Sequence, residues 1–359
     1  MSRFSIWTLW KGASIILMGF SIMTYAQTDG APPFAFAVDS VSFSNGDVRL
    51  AGAVLKPEGD GPFPAVVIIH GAGPATLSEP AFRVHANSFV QSGFAVLLYD
   101  KRGSGKSTGD LDLSDYDDLA ADLAAGVKYL RARRDIIPDK IGVLGRSEGG
   151  WIGALAASRD SLLAFVILSS GSGVRPSEQV IFSTVTALRA MGATPGEVEG
   201  AIAAKLAQWE YYRKVAKMDS AAGISTVMQA ERDSLLRQLR SFARFAPEVP
   251  QNVRDPARTP SVFFLAFTNK IDYDPLASYR TSQAALLEVI GANDQVVDPV
   301  STAAMFEKLR QEGRNVSVRI LPDVGHSLTI MTKEGQRYPE DYPEFVVRWA
   351  RAQIDEAKK

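Results

Sequence analysis

The chain has 359 residues, of which 46% are hydrophobic and 22% are charged, and its formal net charge is −1. This is an ordinary globular composition, with room for one large domain or for a domain with an insertion. The near-zero charge and the lack of basic blocks argue against nucleic acid or an anionic membrane surface as a partner.

The first 26 residues have the features of a signal peptide. Arg3 and Lys11 precede an apolar run over 13–23, and small residues follow at Thr24 and Ala26, the two cleavage positions. We expect cleavage near Ala26, a periplasmic or secreted product, and no stable membrane span after cleavage; an uncleaved N-terminal anchor is the alternative. The sequence contains no cysteine, so an exported product would have no disulfides and no lipid-modified cysteine.

Residues 28–173 are predicted to form the first part of an α/β core. Alternating residues around Asn45-Gly-Asp47 predict a hairpin of strands at 34–44 and 48–56. Continuous apolar runs predict buried parallel strands at 64–70, 94–100, 140–145 and 162–170. Helices are predicted between strands at 79–92 and 115–134. This alternation is typical of a mostly parallel sheet with helices on both faces.

The alternation stops after residue 173. Helical patterns at 197–217 and 224–245 predict an inserted helical cap over 174–280, with no convincing strand before the apolar run 262–267. The second part of the core, over 281–359, is predicted to hold strands at 284–290 and 315–321 and helices at 299–312 and 343–356.

The pentapeptide Gly145-Arg-Ser-Glu-Gly149 follows the strand predicted at 140–145, and a helical stretch of small residues begins directly after Ser147. A strand, a sharp turn and a helix make a nucleophile elbow, which lifts a serine above a sheet. The flanking glycines suit a turn that leaves almost no room for side chains. Ser147 is therefore the candidate nucleophile.

A second match to the same pattern surrounds Ser107, in Gly105-Lys-Ser-Thr-Gly109. No predicted strand enters this segment and no apolar helix leaves it, so we do not expect a nucleophile there. The segment also resembles the end of a phosphate-binding loop, but the first glycine of such a loop would have to stand where the chain has Asp100. This argues against a nucleotide site.

A serine nucleophile needs a base, usually a histidine that a carboxylate orients. The sequence contains three histidines. His85 lies inside a predicted helix, and His70 ends a strand at a position that suits a structural or oxyanion-loop role. His326 lies in a glycine-flanked loop after the last predicted strand and is the predicted base.

The predicted acid is Asp294, because it directly follows the strand at 284–290, at the sheet edge where catalytic loops gather. Asp298 is the alternative. The chain order Ser147, Asp294, His326 is the order of the α/β-hydrolase triad.

Together these motifs resemble those of α/β-hydrolase fold enzymes, in particular exported esterases and serine-aminopeptidase-like or prolyl-oligopeptidase-like hydrolases. The resemblance covers residues 40–173 and 260–356, not the cap, and its motifs are His70-Gly-Ala-Gly73, Tyr99-Asp-Lys-Arg-Gly-Ser-Gly105, Gly145–Gly149, Gly291-Ala-Asn-Asp294 and Gly325-His326. It implies that the backbone amides of Ala72 and Glu148 form an oxyanion hole, which stabilises the negative charge that develops on the substrate oxygen.

The predicted function is hydrolysis of carboxylic esters by a serine hydrolase through an acyl-enzyme intermediate, with no metal or cofactor. The expected substrate is a small-molecule ester. The alternative is a short peptide, cleaved by an aminopeptidase or another serine peptidase of this fold. A non-catalytic binding protein is the rival from a different class.

Other side chains have less specific roles. Arg102 is expected to brace its loop, whereas Arg146 and Glu148 lie beside the nucleophile and could shape the pocket. Three aromatic residues of the cap could line a pocket or only pack the cap on the core: Trp209, Tyr211 and Tyr212. Four cap carboxylates could capture a substrate amine, but nothing distinguishes them: Glu197, Glu199, Glu210 and Glu231.

Overall fold

A computed structural model of the chain describes residues 36–218, 226–246, 248–333, 335–339 and 341–356. The predicted signal peptide, residues 1–26, lies outside these ranges. Of the helices inside them, none combines the length and the hydrophobicity that crossing a bilayer requires.

The centre of the described structure is one sheet of eight strands: β1 (Val38–Asn45), β2 (Val48–Leu55), β3 (Phe63–Ile69), β4 (Ala95–Tyr99), β5 (Ile136–Arg146), β6 (Leu163–Ser169), β7 (Ala285–Gly291) and β8 (Val316–Leu321). Their order across the sheet is β1-β2-β4-β3-β5-β6-β7-β8. The β1–β2 and β2–β4 pairs are antiparallel, and the later pairs are parallel. The predicted mostly parallel sheet with an antiparallel N-terminal hairpin is therefore confirmed. A small antiparallel pair, β9 (Ile330–Thr332) and β10 (Gly335–Arg337), follows β8.

Ten helices are found in the described ranges: α1 (Pro80–Gln91), α2 (Tyr116–Arg131), α3 (Glu148–Arg159), α4 (Pro176–Ala190), α5 (Pro195–Ala216), α6 (Thr226–Arg240), α7 (Ser261–Asp272), α8 (Pro275–Thr281), α9 (Pro299–Gln311) and α10 (Tyr342–Glu356). Helices α2, α3 and α9 pack on one face of the sheet, and α1 and α10 pack on the other. Both faces are thus covered, which explains why the parallel strands are continuous apolar runs rather than alternating ones.

The limits of α2 follow from its end residues. The Asp115 carboxylate accepts the N–H groups of Asp117 and Asp118, and the Asp118 side chain accepts the N–H of Asp115, so the first turn is capped reciprocally. The last turn contains Lys128 and Arg131, whose positive charges suit the negative end of the helix dipole. These end residues set where α2 begins and ends, and its buried side chains share a hydrophobic cluster with those of β5.

Helices α4 to α8 lie in the chain between β6 and β7, and no strand is found there among the described residues. The apolar run Val262–Phe267, the first strand-like pattern of this region, belongs to α7 instead. The reason is visible in its packing, because Phe263, Phe264 and Phe267 lie on one helical face against the ring of Tyr212. The domain limits at 174 and 280 stay a prediction.

Candidate active site

Ser147 occupies a sharp turn between β5 and α3. Its backbone has φ 51° and ψ −119°, in the positive-φ region that residues other than glycine rarely adopt. The Ser147 N–H donates to the carbonyl of Ser169 at the end of β6 (2.9 Å), and the Gly150 N–H donates to the carbonyl of Ser147 (2.8 Å). The turn is held by the neighbouring strand and by its own helix, and it places the serine at the carboxyl edge of the sheet.

The glycines of the pentapeptide are required by close contacts between backbones. A Cβ atom on Gly145 would lie 2.1 Å from the carbonyl oxygen of Gly149, and one on Gly149 would lie 2.8 Å from the carbonyl oxygen of His70. Side chains at these positions would push the elbow away from the end of β3. The loop that begins at His70 therefore runs directly against the elbow.

Ser147, His326 and Asp294 are connected by hydrogen bonds. His326 Nε2 lies 3.1 Å from Ser147 Oγ, and His326 Nδ1 lies 2.9 Å from Asp294 Oδ2. With the ring proton on Nδ1, the imidazole donates to the carboxylate, and Nε2 can accept the serine proton. This is the arrangement that allows a histidine to act as a general base towards a serine hydroxyl.

The loop between β7 and α9, residues 292–298, is named the acid loop, and it orients the Asp294 carboxylate. Its Oδ1 atom accepts the N–H groups of Val296 (2.8 Å) and Val297 (2.9 Å), which leaves Oδ2 for His326. Asp298 has a different role, because it is the N-cap residue of α9 and accepts the N–H of Val300 (3.0 Å). Of the two candidate acids, the structure brings Asp294 against the histidine.

The loop that bears His326 is tied to the end of β6 and to the acid loop. The Ser170 hydroxyl donates to the carbonyl of His326 (2.8 Å), and the Asn293 N–H donates to the carbonyl of Val324 (3.0 Å). Three consecutive strand ends, those of β5, β6 and β7, thus fix the relative positions of the serine, the histidine and the aspartate.

The predicted oxyanion donors lie next to the serine. A Cβ atom built on Gly71 would lie 3.4 Å from the Cβ of Ser147, so the peptide that joins Gly71 to Ala72 starts beside the nucleophile. Glu148 is the first residue of α3, where N–H groups have no acceptor within the helix and carry the positive end of its dipole. The assignment of these two amides as an oxyanion hole stays a prediction.

The side chain of Glu148 is buried below the elbow rather than exposed in a pocket. Its carboxylate accepts a hydrogen bond from Lys101 Nζ at 2.7 Å, and each of the two side chains is 4% exposed. Burial raises the pKa of Glu148, but the charges of Lys101 and Lys270, together with hydrogen bonds from Lys101 and Tyr116, leave that pKa below its usual value. Sequence reasoning did not assign a role to Lys101, although a lysine at the end of a buried strand was a usable signal.

His70 and His85 are both buried and lie outside the hydrogen-bonded chain of the site. Burial, together with the charge of Lys101 for His70 and of Arg146 for His85, lowers the pKa of each to about 3. Both rings are therefore neutral near pH 7. The ring of His70 packs edge-on against Phe82 and Tyr99, as suits a structural position at the start of the oxyanion loop.

Arg102 braces its loop as expected. Its guanidinium donates to both carboxylate oxygens of Asp122 (2.6 and 2.7 Å) and to the hydroxyl of Ser114 (3.0 Å). The hydroxyl of Ser107, the second serine in a Gly-x-Ser-x-Gly match, is also used within the fold: it donates to the carbonyl of Asp100 and accepts the N–H of Ala51.

The aromatic residues of the cap are packed inside it. Trp209, Tyr211 and Tyr212 are all buried in the hydrophobic cluster of α4 to α7, and the Tyr212 hydroxyl accepts the N–H of Arg254 at 3.0 Å. Their burial supports the packing role that the sequence left open.

Residues 45–327 match the model of the family described as X-Pro dipeptidyl-peptidase (S15 family). Esterase EstD of Thermotoga maritima is 31% identical over 163 residues, which are 43% of this chain and 39% of the esterase. The quorum-quenching protein AidA of Acinetobacter baumannii is 30% identical over 154 residues, 42% of this chain and 50% of that protein. The chain thus aligns with half or less of the length of these two relatives.

Solved structures resemble the chain over most of its length. The Pyrococcus furiosus esterase Pf2001 has a TM-score of 0.54 at 20% identity, covering 89% of this chain and 92% of that one. A proline iminopeptidase from Mycobacterium smegmatis has a TM-score of 0.53 at 20% identity, covering 89% and 100%. At this identity the likeness concerns the fold, and the α/β-hydrolase fold predicted from the motifs is confirmed.

Proposed function

Because the chain belongs to the family described as X-Pro dipeptidyl-peptidase (S15 family), we propose that it is a serine hydrolase and that it cleaves carboxylic esters. The observation that most supports the proposal is the hydrogen-bonded chain from Ser147 through His326 to Asp294. A serine held at a strained turn with a histidine and a buried carboxylate aligned behind it has the requirements of a nucleophile and its base.

In the proposed reaction His326 Nε2 takes the proton of Ser147 Oγ as that oxygen attacks the ester carbonyl. The amides of Ala72 and Glu148 stabilise the negative oxygen of the tetrahedral intermediate, and Asp294 stabilises the imidazolium. Collapse of the intermediate breaks the ester bond, and the leaving alcohol takes the proton from His326. Water then attacks the acyl-enzyme with His326 again as the base, which releases the acid and regenerates Ser147.

The ion pairs of the candidate carboxylates favour an ester substrate over a peptide with a free N-terminus. To bind the ammonium group of such a peptide, the site needs a carboxylate that has no cationic partner. Glu148, the carboxylate next to the nucleophile in sequence, is already paired with Lys101. Three of the four candidate carboxylates of the cap also have cationic partners: Glu197 with Arg244, Glu210 with Arg213, and Glu231 with Lys214. The name of the relative EstD agrees with esterase activity.

The family match itself favours a second candidate, a peptidase that uses the same three residues. Parallel assays distinguish the two: p-nitrophenyl esters of short acyl chains report the esterase, and aminoacyl and Xaa-Pro naphthylamides report the peptidase. A kcat/KM for the amides equal to or above that for the esters would replace the proposed activity with the second candidate.

The decisive experiment compares Ser147→Ala with Ser107→Ala, since both serines lie in a Gly-x-Ser-x-Gly match. Labelling by a fluorophosphonate and hydrolysis of p-nitrophenyl acetate are expected to disappear in the first variant and to persist in the second. Labelling that persists in Ser147→Ala would contradict the assignment of the nucleophile. Wild-type protein that neither labels nor hydrolyses esters or amides would support the non-catalytic alternative.

We also propose export of the protein after cleavage near Ala26, on the sequence features of residues 1–26. N-terminal sequencing of the product recovered from a bacterial periplasm tests this. A first residue of Gln27 is expected, and an intact Met1 in the membrane fraction would support the anchor instead.

A further inference from the structure

Lys101 is a buried cation at the elbow that the reaction described above does not use. It follows β4, and its Nζ atom lies 2.7 Å from Glu148 Oε2 and 2.8 Å from the carbonyl oxygen of Gly71. Its own backbone is fixed, because the Lys101 N–H donates to the carbonyl of Ala75 at 3.1 Å. Burying an ammonium group costs free energy unless its partners compensate. A lysine buried this deeply therefore indicates a specific role.

Each partner of Lys101 is directly connected to a proposed oxyanion donor: the Gly71 carbonyl shares a peptide group with the Ala72 N–H, and Glu148 itself provides the second N–H. The carbonyl of Gly71 and the N–H of Ala72 are the two ends of one planar peptide group, in which they point in opposite directions. An ammonium group that holds the oxygen on the buried side therefore directs the N–H away from itself. It also polarises the peptide, which makes the N–H a stronger donor.

The second partner anchors the ammonium to the elbow. Glu148 provides the other proposed donor through its backbone N–H, and its side-chain carboxylate accepts a hydrogen bond from Lys101. One ammonium group thus connects the oxyanion loop to the first residue of α3. Lys270 of α7 also interacts with the Glu148 carboxylate, although burial lowers the pKa of this second lysine.

We propose that Lys101 is a positioning residue of the oxyanion hole: through Gly71 and Glu148 it fixes the separation of the Ala72 and Glu148 amides and strengthens the first of them. This inference rests on the proposed serine hydrolase function. The lysine does not touch the substrate. It acts on the transition state through the peptide that it holds.

The first test is Lys101→Met, which keeps the length of the side chain and removes the ammonium. We expect kcat for p-nitrophenyl acetate, per folded molecule, to fall by about 100-fold while KM changes by less than about threefold, because oxyanion donors act mainly in the transition state. Affinity for a trifluoromethyl ketone, which forms a tetrahedral adduct with a negative oxygen, should fall in parallel. A merely structural lysine would change the folded fraction but neither of these values.

A second variant separates positioning from stability. Lys101→Met combined with Glu148→Leu removes both charges of the pair, so no uncompensated carboxylate remains and the fold should be retained. We expect kcat to stay about 100-fold low, since the Gly71 carbonyl has still lost its donor. A double variant that regains wild-type kcat together with stability would overturn the proposal, even if the single variant fails to fold.

The matched control is Arg131→Met, which breaks the ion pair between Arg131, the last residue of α2, and Asp160 (2.6 Å), the residue that follows α3 at the end opposite Glu148. Its kcat should stay within about twofold of wild type, because this partly buried pair lies at the far end of α3 from the nucleophile. The outcomes distinguish the two proposals. Wild-type protein without Ser147-dependent hydrolysis contradicts the function, whereas an active wild type with a fully active Lys101→Met contradicts the positioning role.

Discussion

Two buried carboxyl groups flank the proposed triad, and the protein treats them in opposite ways. On the elbow side, formed by His70, Lys101 and Glu148, the carboxylate of Glu148 is paired with an ammonium at 2.7 Å. On the acid-loop side, formed by Glu288 of β7 and Asp294, no cationic group acts on Glu288 within the described structure, and the backbone N–H of Gly171 is the group that favours its charged form. Both glutamates are almost completely buried, so burial alone does not explain the difference.

The pKa values of the two groups move in opposite directions. Burial raises the pKa of both, but at Glu148 the charges of Lys101 and Lys270 and the hydrogen bonds from Lys101 and Tyr116 together make the net shift downward. At Glu288 the charge of Asp294 adds to burial, and the pKa rises well above its ordinary value. Glu148 therefore favours its ionised form and Glu288 favours its neutral form. The partner, rather than the depth, decides the charge of a buried carboxyl group.

The raised pKa of Glu288 has a consequence for the site. Its carboxyl group lies close enough to Asp294 for their charges to interact. An ionised Glu288 would be a second negative charge near Asp294 and would compete with the role proposed for Asp294. A protonated Glu288 leaves Asp294 as the carboxylate that orients the imidazole.

The largest effect on activity is expected when the carboxylate proposed to orient His326 is removed. Asp294→Asn should lower kcat for p-nitrophenyl acetate by about 10³–10⁴-fold, because the histidine loses its orientation and the stabilisation of its cation. The matched control is Asp298→Asn, which should stay within about twofold, since asparagine also caps helices. Equal losses in the two variants would contradict the choice of Asp294.

The next effect tests the ion pair of the elbow side through stability. Glu148→Gln should lower the free energy of unfolding by about 3 kcal/mol at pH 7, because it leaves the buried Lys101 ammonium without its counter-charge. Urea unfolding followed by circular dichroism measures it. Glu288→Gln, the same substitution on the acid-loop side, should not destabilise at this pH, and similar losses in both variants would contradict the contrast.

The third prediction concerns the pH dependence that a buried carboxyl group without a cationic partner imposes. Because the folded pKa of Glu288 is raised, its stabilising effect is complete below the unfolded value of 4.5 and is lost as pH rises towards the folded value. Glutamine does not titrate, so Glu288→Gln should match wild type near pH 4.5. It should gain about 1.4 kcal/mol in unfolding free energy for each pH unit above that, up to the folded pKa. A difference that does not grow between pH 4.5 and pH 8 would contradict the raised pKa of Glu288.

The contrast between these glutamates also shows what the sequence could predict. The sheet and the positions of Ser147, Asp294 and His326 could be predicted, because each depends on local features: an apolar strand, a turn and the residue that follows. Chain order then assigned the roles. The helix limits were close to those observed where caps such as Asp115 mark them.

Features that depend on contacts between distant segments could not be predicted. Lys101 and Glu148 are separated by 47 positions in sequence, and their pairing arises only when β4 and α3 meet at the sheet edge. The apolar run at 262–267 was ambiguous because a short run of this kind fits a buried strand or a buried helix, and packing against Tyr212 decided for the helix.

The smallest expected effect is the acid sensitivity of the elbow side. The folded pKa of His70 is lowered to about 3, so between that value and the ordinary histidine value of 6.5 the unfolded chain binds a proton that the folded chain does not. The stabilising effect of the neutral ring is therefore complete above pH 6.5 and is lost as pH falls. His70→Gln should reduce the slope of unfolding free energy against pH, between pH 6 and pH 5, by about 1 kcal/mol per unit. An unchanged slope would mean that His70 is protonated in the folded protein. A reduced slope would show that His70 destabilises the folded protein as pH falls, whereas Glu288 does so as pH rises.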